Sequence, residues 1–319
     1  MMPNPMPATS MPLVPMPLIE LSQEMLALQQ RLVDRLAGPG PGSGLAAHLA
    51  RFIGRVGNRL SKPPRIVLLG EFNAGKSTLA NALIGAAVLP TSVHANTRVP
   101  LLIHYSETPV LTYEDHDRVR RPLAMAAVED LAQGKARMLR VGLPLPRLKS
   151  FELIDTPGLA NGTAGVDELG LEACRRSHIA VWCTVATQAW KASERAVWMG
   201  LPSRLRQRSL LAVTHQDAVH SERDCQRLMA RLDAEAAGHF GGIAMVAACE
   251  AQLATVQSAA GDAAARWADG RGRELEIGLQ NAIAGELRSR QSAAERLLQR
   301  VSQRLLTSSV HDRRPLLAV

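Results

Sequence analysis

Residues 66–78 read IVLLGEFNAGKST, and the rest of the chain is organised around them. Ile66 to Gly70 is an apolar run of strand length, Gly70 to Ser77 has the spacing GxxxxGK[ST], and the residues from Lys76 to about Ile84 read as a helix. The chemistry accounts for the spacing. Glycines let the backbone curl so that successive N–H groups converge on one phosphate, and the start of the following helix adds partial positive charge. Lys76 is placed to neutralise β- and γ-phosphate oxygens, and the Ser77 hydroxyl to ligate Mg²⁺. Gly70, Glu71, Asn73, Ala74, Gly75, Lys76, Ser77 and Thr78 are therefore the first candidate binding residues. The stretch reads as a phosphate-binding loop.

Further apolar runs stand at 99–105, 110–114, 151–155, 179–186, 209–214 and 242–248, and helix-like stretches at 167–177, 191–206 and 221–237 separate the later ones. Strands alternating with helices predict an α/β fold with a mostly parallel sheet covered on both faces. Upstream, Leu21, Met25, Leu28, Leu32 and Leu36 recur at helical spacing. So do Leu49, Phe52, Ile53, Val56 and Leu60, with GPGPGSG at 38–44 between the two helices. After Cys249 no strand signal returns. Residues 250–268 and 272–306 read as helices, and Leu275, Leu279, Ile283 and Leu287 recur every four residues. Each flanking helix carries an apolar stripe that needs cover, so the flanking helices are expected to form one bundle. The uncharged, Met- and Pro-rich residues 1–17 read as a disordered leader. The expected division is a leader at 1–17, bundle helices at 18–64, the α/β domain at 65–250, further bundle helices at 251–308 and a tail at 309–319.

Three more sites fall where chemistry is expected. Asp155-Thr156-Pro157-Gly158 ends the run 151–155. A carboxylate there is placed to hold Mg²⁺ through water, and the Gly158 N–H to meet a γ-phosphate. Thr97 lies in LPTSVHANTRVP (89–100), where a loop could carry a threonine to Mg²⁺ and the γ-phosphate. Thr214-His215-Gln216-Asp217 directly follows the run 209–214. The Asp217 carboxylate could accept hydrogen bonds from the guanine ring N–H and exocyclic amine, whereas adenine offers the wrong edge. His215 stands where guanine-specific proteins place a lysine whose stem covers the base, and an imidazole could stack there instead. Ala248 in VAAC (246–249) stands at the place of a turn that backs the base.

Composition bounds the class and partners. At 319 residues, 46% hydrophobic and 21% charged, the chain can bury a sizeable core, which argues against wholesale disorder. No run reaches the roughly 18 apolar residues of a membrane span. The first basic residue is Arg31, so neither a secretory signal nor a transit peptide fits. The four cysteines are far apart with no CxxC pair, arguing against a zinc site or disulfide framework and for a reducing cytosol. The net charge of +8 favours phosphate-bearing partners, either nucleotide, nucleic acid or anionic lipid.

The ordered set GEFNAGKST, NALIG, LPTSVHANTRVP and DTPG, with LRVGLPLPRLKSF before residue 152 and ATQAWKASE at 186–194, resembles a TRAFAC-class GTPase. Within that class it resembles the dynamin superfamily in its bacterial dynamin-like form, over about residues 60–250. The flanking helices resemble the neck bundle of dynamins. The resemblance implies GTP and GDP as ligands, Mg²⁺ and a monovalent K⁺ or Na⁺ as cofactors, and GTP hydrolysis stimulated when two GTPase domains meet across the nucleotide. The partner would be a second copy or another dynamin-like chain. Lys76, Ser77, Thr97, Asp155 and Gly158 would form the nucleotide and Mg²⁺ machinery, with Lys76, Thr97 and Asn73 nearest the chemistry and Asp217 reading the base.

Departures from the family set further expectations. Leu159 follows DTPG, where small GTPases place a water-orienting Gln. Phe72 and Asn73 stand where eukaryotic dynamins have Gln and Ser; Asn73 could still offer a carbonyl oxygen, but Phe72 cannot orient water. Slow hydrolysis by the single chain is one expectation, and a GTP-dependent interaction module with negligible hydrolysis is the alternative. Only 69 residues follow Glu250, too few for a long stalk, so membrane fission by the chain alone is not expected. Residues 271–319 carry nine Arg against five acidic residues, which leaves a peripheral contact with anionic membrane open beside a cytoplasmic location. No RNA-binding module follows, so nucleic acid is not an expected partner.

Overall fold

A computed structural model describes residues 23, 27, 30, 51, 53–58, 60, 62–86, 88–89, 99–123, 136–158, 168–219, 221–247 and 272–311, and the structural account concerns these. The run after Pro64 becomes β1 (Arg65–Gly70), buried from Ile66 onward as a central strand of a parallel sheet must be. There follow α1 (Lys76–Ile84), β2 (Leu101–Tyr105), β3 (Val110–Glu114), β4 (Arg120–Pro122), β5 (Met138–Leu143) and β6 (Glu152–Asp155). Then come α2 (Glu168–Arg176), β7 (Ile179–Val185), α3 (Ala192–Gly200), α4 (Ser203–Arg206), β8 (Ser209–Thr214), α5 (Glu222–Glu235), β9 (Ile243–Met245) and α6 (Gly272–His311).

The strands form one sheet in the order β4-β3-β5-β2-β6-β1-β7-β8-β9. The run from β6 to β9 is parallel, as is the β2–β5 pair, and the β2–β6, β3–β5 and β3–β4 pairs are antiparallel. The expected α/β fold with a mostly parallel sheet is therefore present. Leu68 pairs with Asp155 on one side and Val181 on the other, Gly70 with Cys183, and Val185 with Thr214. That register gathers the C-terminal ends of β1, β6, β7 and β8 at one edge, where open parallel sheets hold ligands.

Two local expectations need correction. The apolar runs marked in the sequence include none between 114 and 151, yet β5 stands there, between β3 and β2 in the sheet. Arg140 interrupts the apolar pattern that would have marked it as a strand. The helix predicted over 191–206 is two helices, α3 and α4, parted at Leu201-Pro202. Proline lacks the N–H a helix interior needs and biases the preceding residue out of the helical region.

The core is built on β7. Trp182 meets Trp198 edge-on at 5.6 Å and Trp190 at 6.3 Å, while Phe240 stacks on Trp198 at 4.5 Å. Four of the chain's ten aromatic residues are thus in one cluster. On α6, Leu275, Leu279, Ile283 and Leu287 are buried, as their four-residue spacing predicts. Backbone packing separates a unit containing Pro64–Ala284, which holds the sheet, from one containing Val14–Pro63 and Gly285–Val319. In the second unit Ile53 and Leu60 are buried, and Arg290 donates to the Lys62 carbonyl at 2.8 Å. Among the described residues no helix is long and apolar enough to cross a membrane. Gln23, Ala27 and Gln30 are helical; the leader 1–17 and the helix expected at 250–268 lie outside the described residues.

Candidate functional site

Backbone geometry makes the loop between β1 and α1. Gly70 has φ +146°, and a Cβ there would stand 2.2 Å from the Cys183 carbonyl oxygen, so only glycine fits. Gly75, at φ +73°, turns the chain into α1. Between them Asn73 occupies the left-handed region at φ +60°, which Asn tolerates better than most residues. The loop wraps the Lys76 ammonium, which donates to the Gly70 carbonyl at 3.2 Å and the Glu71 carbonyl at 2.7 Å. One of its three donors remains for a ligand. Burial lowers the Lys76 pKa from its ordinary value, and the charges of Asp155 and Glu71 resist that shift.

The end of β6 completes the opposite wall. Ser77 Oγ donates to Asp155 Oδ2 at 2.7 Å, and Thr156 Oγ1 donates to the Leu68 carbonyl at 2.6 Å, tying the DTPG segment to β1. Gly158 comes so close to the loop that a Cβ would stand 2.7 Å from Phe72 Cα. A cavity of about 400 Å³ opens between these segments, lined by residues 72–78, 155–158 and His215. The adjacent Ser77 hydroxyl and Asp155 carboxylate are hard oxygen donors of the kind Mg²⁺ takes, one or two from protein and the rest from water and phosphate.

Behind the loop lies a buried polar network. Thr214 Oγ1 lies within donating distance of the Ala74 carbonyl at 3.0 Å and the Thr184 carbonyl at 3.1 Å, and 3.0 Å from His215 Nδ1. Thr184 Oγ1 donates to Glu194 at 2.9 Å and accepts from the Trp190 N–H at 3.1 Å. Glu194 also accepts from Trp182 Nε1 at 3.2 Å and the Lys191 N–H at 2.9 Å; burial raises its pKa against these hydrogen bonds. The Glu71 carboxylate accepts from Lys191 Nζ at 2.6 Å and Ser193 Oγ at 3.3 Å. This ties the phosphate loop to the start of α3.

Of the residues singled out in the sequence, Asn73, Ala74, Gly75, Lys76, Ser77, Thr78, Asp155, Gly158 and His215 line the one cavity. Gly70 and Thr214 stand behind it, holding Lys76 and Ala74. Glu71 offers its carbonyl to Lys76 and turns its carboxylate to Lys191. His215 has φ +57°, and its ring packs on Gly75, where a Cβ would meet Cε1 at 3.4 Å. Asp217 is exposed in the short 3-10 turn 216–218 and is not among the cavity-lining residues. Thr97, Leu159 and Ala248 lie outside the described residues. Sequence reasoning missed Thr156, Thr184, Lys191 and Glu194 as supports of the loop. The only local signal was an acidic residue in the first turn of α3.

Comparison with known proteins bears on the same region. Residues 66–215 match the Dynamin_N model, described as the dynamin family. The chain is 28% identical over 168 residues to Dynamin-like protein 2 of Campylobacter jejuni, covering 51% of this chain and 27% of that protein. It is 29% identical over 150 residues to the bacterial dynamin-like protein of Nostoc punctiforme, covering 41% and 22%. The chain thus spans about a quarter of the length of these curated relatives. A solved oligomerised bacterial dynamin pair, described as a mechanism for long-range sensing and tethering of membranes, shares the fold. Its TM-score is 0.57 at 15% identity, over 93% of this chain and 58% of that one. Residues 66–215, which build the cavity, match the dynamin family, and the chain is similar to bacterial dynamin-like proteins.

Proposed function

We propose that this domain binds GTP and GDP with Mg²⁺ and hydrolyses GTP, slowly as a single chain and faster when two such domains meet across the nucleotide. The observation that carries this reading is the enclosure of Lys76 by two loop carbonyls beside the Ser77–Asp155 pair. In this reading Lys76 and the loop N–H groups hold the β- and γ-phosphates, Ser77 and Asp155 hold Mg²⁺, and the Gly158 N–H meets the γ-phosphate. Bound Mg²⁺ supplies neutralisation of phosphate charge. Asn73 offers its side-chain carbonyl to water or a monovalent K⁺ or Na⁺. Thr97 closes on the γ-phosphate, Thr214 and His215 frame the base, Ala248 backs it, and Asp217 swings in from the exposed turn to read guanine.

The flanking helices at 18–64 and 251–308 form a neck-like bundle in this reading, supported by the unit that joins Val14–Pro63 with Gly285–Val319. A second copy or another dynamin-like chain is the proposed partner, with a cytoplasmic location and peripheral contact with anionic membrane. The test is GTP turnover at rising protein concentration, with and without K⁺. Rising specific activity supports assembly-stimulated hydrolysis, and no turnover at any concentration refutes it. One observation favours the second reading, a GTP-dependent interaction module with negligible hydrolysis. Phe72 is 55% exposed on the cavity wall and offers no polar atom to a water molecule. Tight GTP binding that persists unhydrolysed for hours, with a nucleotide-dependent partner, is the outcome that selects it.

A further inference from the structure

Arg140 on β5 is only 5% exposed, yet its Nη1 has no hydrogen-bond partner. The carboxylate that favours its charge, Glu152, is already engaged by Arg65 Nε at 2.8 Å and by Arg65 Nη2. Glu114, whose own carboxyl Arg140 helps to hold down, is engaged by Arg176, and the charges of Arg120, Arg65 and Arg176 repel Arg140. Burial first, and these repulsions next, pull its pKa down to about 10. A buried cation is costly unless it is well paired, and both carboxylates that attract Arg140 are already held by other arginines. Counting Arg140 itself, four arginines thus share two carboxylates there.

Arg120 and Arg176 also line a cavity of about 530 Å³ between the β3–β4 hairpin, the start of β5, and α2. Arg118, Arg137 and Arg175 complete its basic lining, against Glu114, Glu168 and Glu172. Two of those carboxylates are committed. Glu114 accepts from Arg176 at 2.6 and 3.0 Å, while Glu172 is held by Arg137, with Arg118 at 3.4 Å. Arg120 and Arg175 are in no ion pair among the described residues, and both are exposed. Arginine's planar fork of donors is suited to phosphate oxygens.

We propose that this cavity is an anion site for a phosphate-bearing ligand, with Arg120 and Arg175 as its free donors and the bound phosphate offsetting the surplus of five arginines over three glutamates in its lining. The ligand chemistry is a phosphomonoester or polyphosphate group, carried either by a free small molecule or by a lipid headgroup. None of its lining residues belongs to the phosphate loop or DTPG cavity, so it stands independently of the nucleotide reading.

The test uses the full chain carrying Lys76→Ala, so that the phosphate loop does not contribute, with inorganic pyrophosphate as the probe in calorimetry. Pyrophosphate is expected to bind this chain at one site. Adding Arg120→Gln and Arg175→Gln, both at exposed positions, is expected to weaken binding about tenfold or more with the thermal midpoint unchanged. A parallel flotation with phosphatidylcholine vesicles containing phosphatidic acid separates the sources. Flotation that is competed by pyrophosphate and lost with the two arginines assigns the site to a headgroup; pyrophosphate binding without flotation assigns it to a free phosphate compound. Absence of pyrophosphate binding in the Lys76→Ala chain, or binding unchanged by the arginine substitutions, overturns the proposal. GDP binding to the wild-type chain, measured alongside, reports on the nucleotide reading separately.

Discussion

Replacing Gly158 with alanine adds one methyl group where the DTPG segment meets the phosphate loop. The new Cβ would stand 2.7 Å from Phe72 Cα and 2.9 Å from Phe72 N, both backbone atoms that cannot swing aside as a side chain would. Ordinary carbon contacts lie at about 3.5–4.0 Å, so the two segments must part by about 1 Å. Gly158 does not have a positive φ, so the substitution acts through this collision and not through backbone strain. If its N–H meets the γ-phosphate, a 1 Å retreat forfeits a hydrogen bond to a charged group, about 1.5–3 kcal/mol or roughly 10- to 100-fold in affinity. Diphosphate affinity should change far less, because the nearest atoms a Cβ at 158 would meet all belong to Phe72 and none to Gly75, Lys76 or Ser77. The assay is a titration of fluorescent GDP and of a non-hydrolysable fluorescent GTP analogue against wild type and Gly158→Ala. A selective loss of triphosphate binding is expected. Equal affinities in the two proteins, or equal losses for both nucleotides, would refute the reasoning.

Lys76→Ala should abolish nucleotide binding while leaving the thermal midpoint unchanged or higher, since the lost ammonium is buried and paired only with neutral carbonyls; calorimetry and thermal unfolding together check this. Asp217→Asn should erase the preference for GTP over ATP in competitive binding without affecting stability, because the residue is exposed in a turn. Glu114→Gln should cost about 1–3 kcal/mol near neutral pH in urea unfolding by breaking the paired contact with Arg176. Burial pushes the Glu114 carboxyl up, but the hydrogen bond from Arg176 and the charges of Arg176, Arg140 and Arg120 outweigh it and hold the pKa below the usual value. Its contribution is therefore complete above the unfolded-state value of about 4.3 and fades as pH falls through the lower folded value, so the gap between variant and wild type should close in acid.

The phosphate loop was legible in the sequence because its requirements are local. Gly70 and Gly75 must take backbone angles or approaches closed to other residues, and Lys76 must follow at a fixed distance. The strands β1, β7 and β8 were legible for a related reason: burial on both faces demands an unbroken apolar run. β5 was not, because the charge of Arg140 reads as surface when only its neighbours in sequence are seen. β4, reading Arg120-Arg121-Pro122, is an exposed edge strand with no apolar signal at all. The network from Ala74 through Thr214 and Thr184 to Glu194 was invisible for another reason. Its members share no spacing, and only the pairing of Val185 with Thr214 across β7 and β8 brings them together.

The aromatic cluster on β7 has an optical consequence. Three of the chain's four tryptophans, Trp182, Trp190 and Trp198, emit from a single neighbourhood. The Trp190 N–H bonds Thr184, whose carbonyl lies within hydrogen-bonding distance of the Thr214 hydroxyl that reaches Ala74 in the phosphate loop. The native emission spectrum is thereby a label already installed three hydrogen-bond contacts from that loop. Loading and release at the cavity can be followed in the unmodified chain, in real time and without dye, as a change in colour or yield of its own fluorescence.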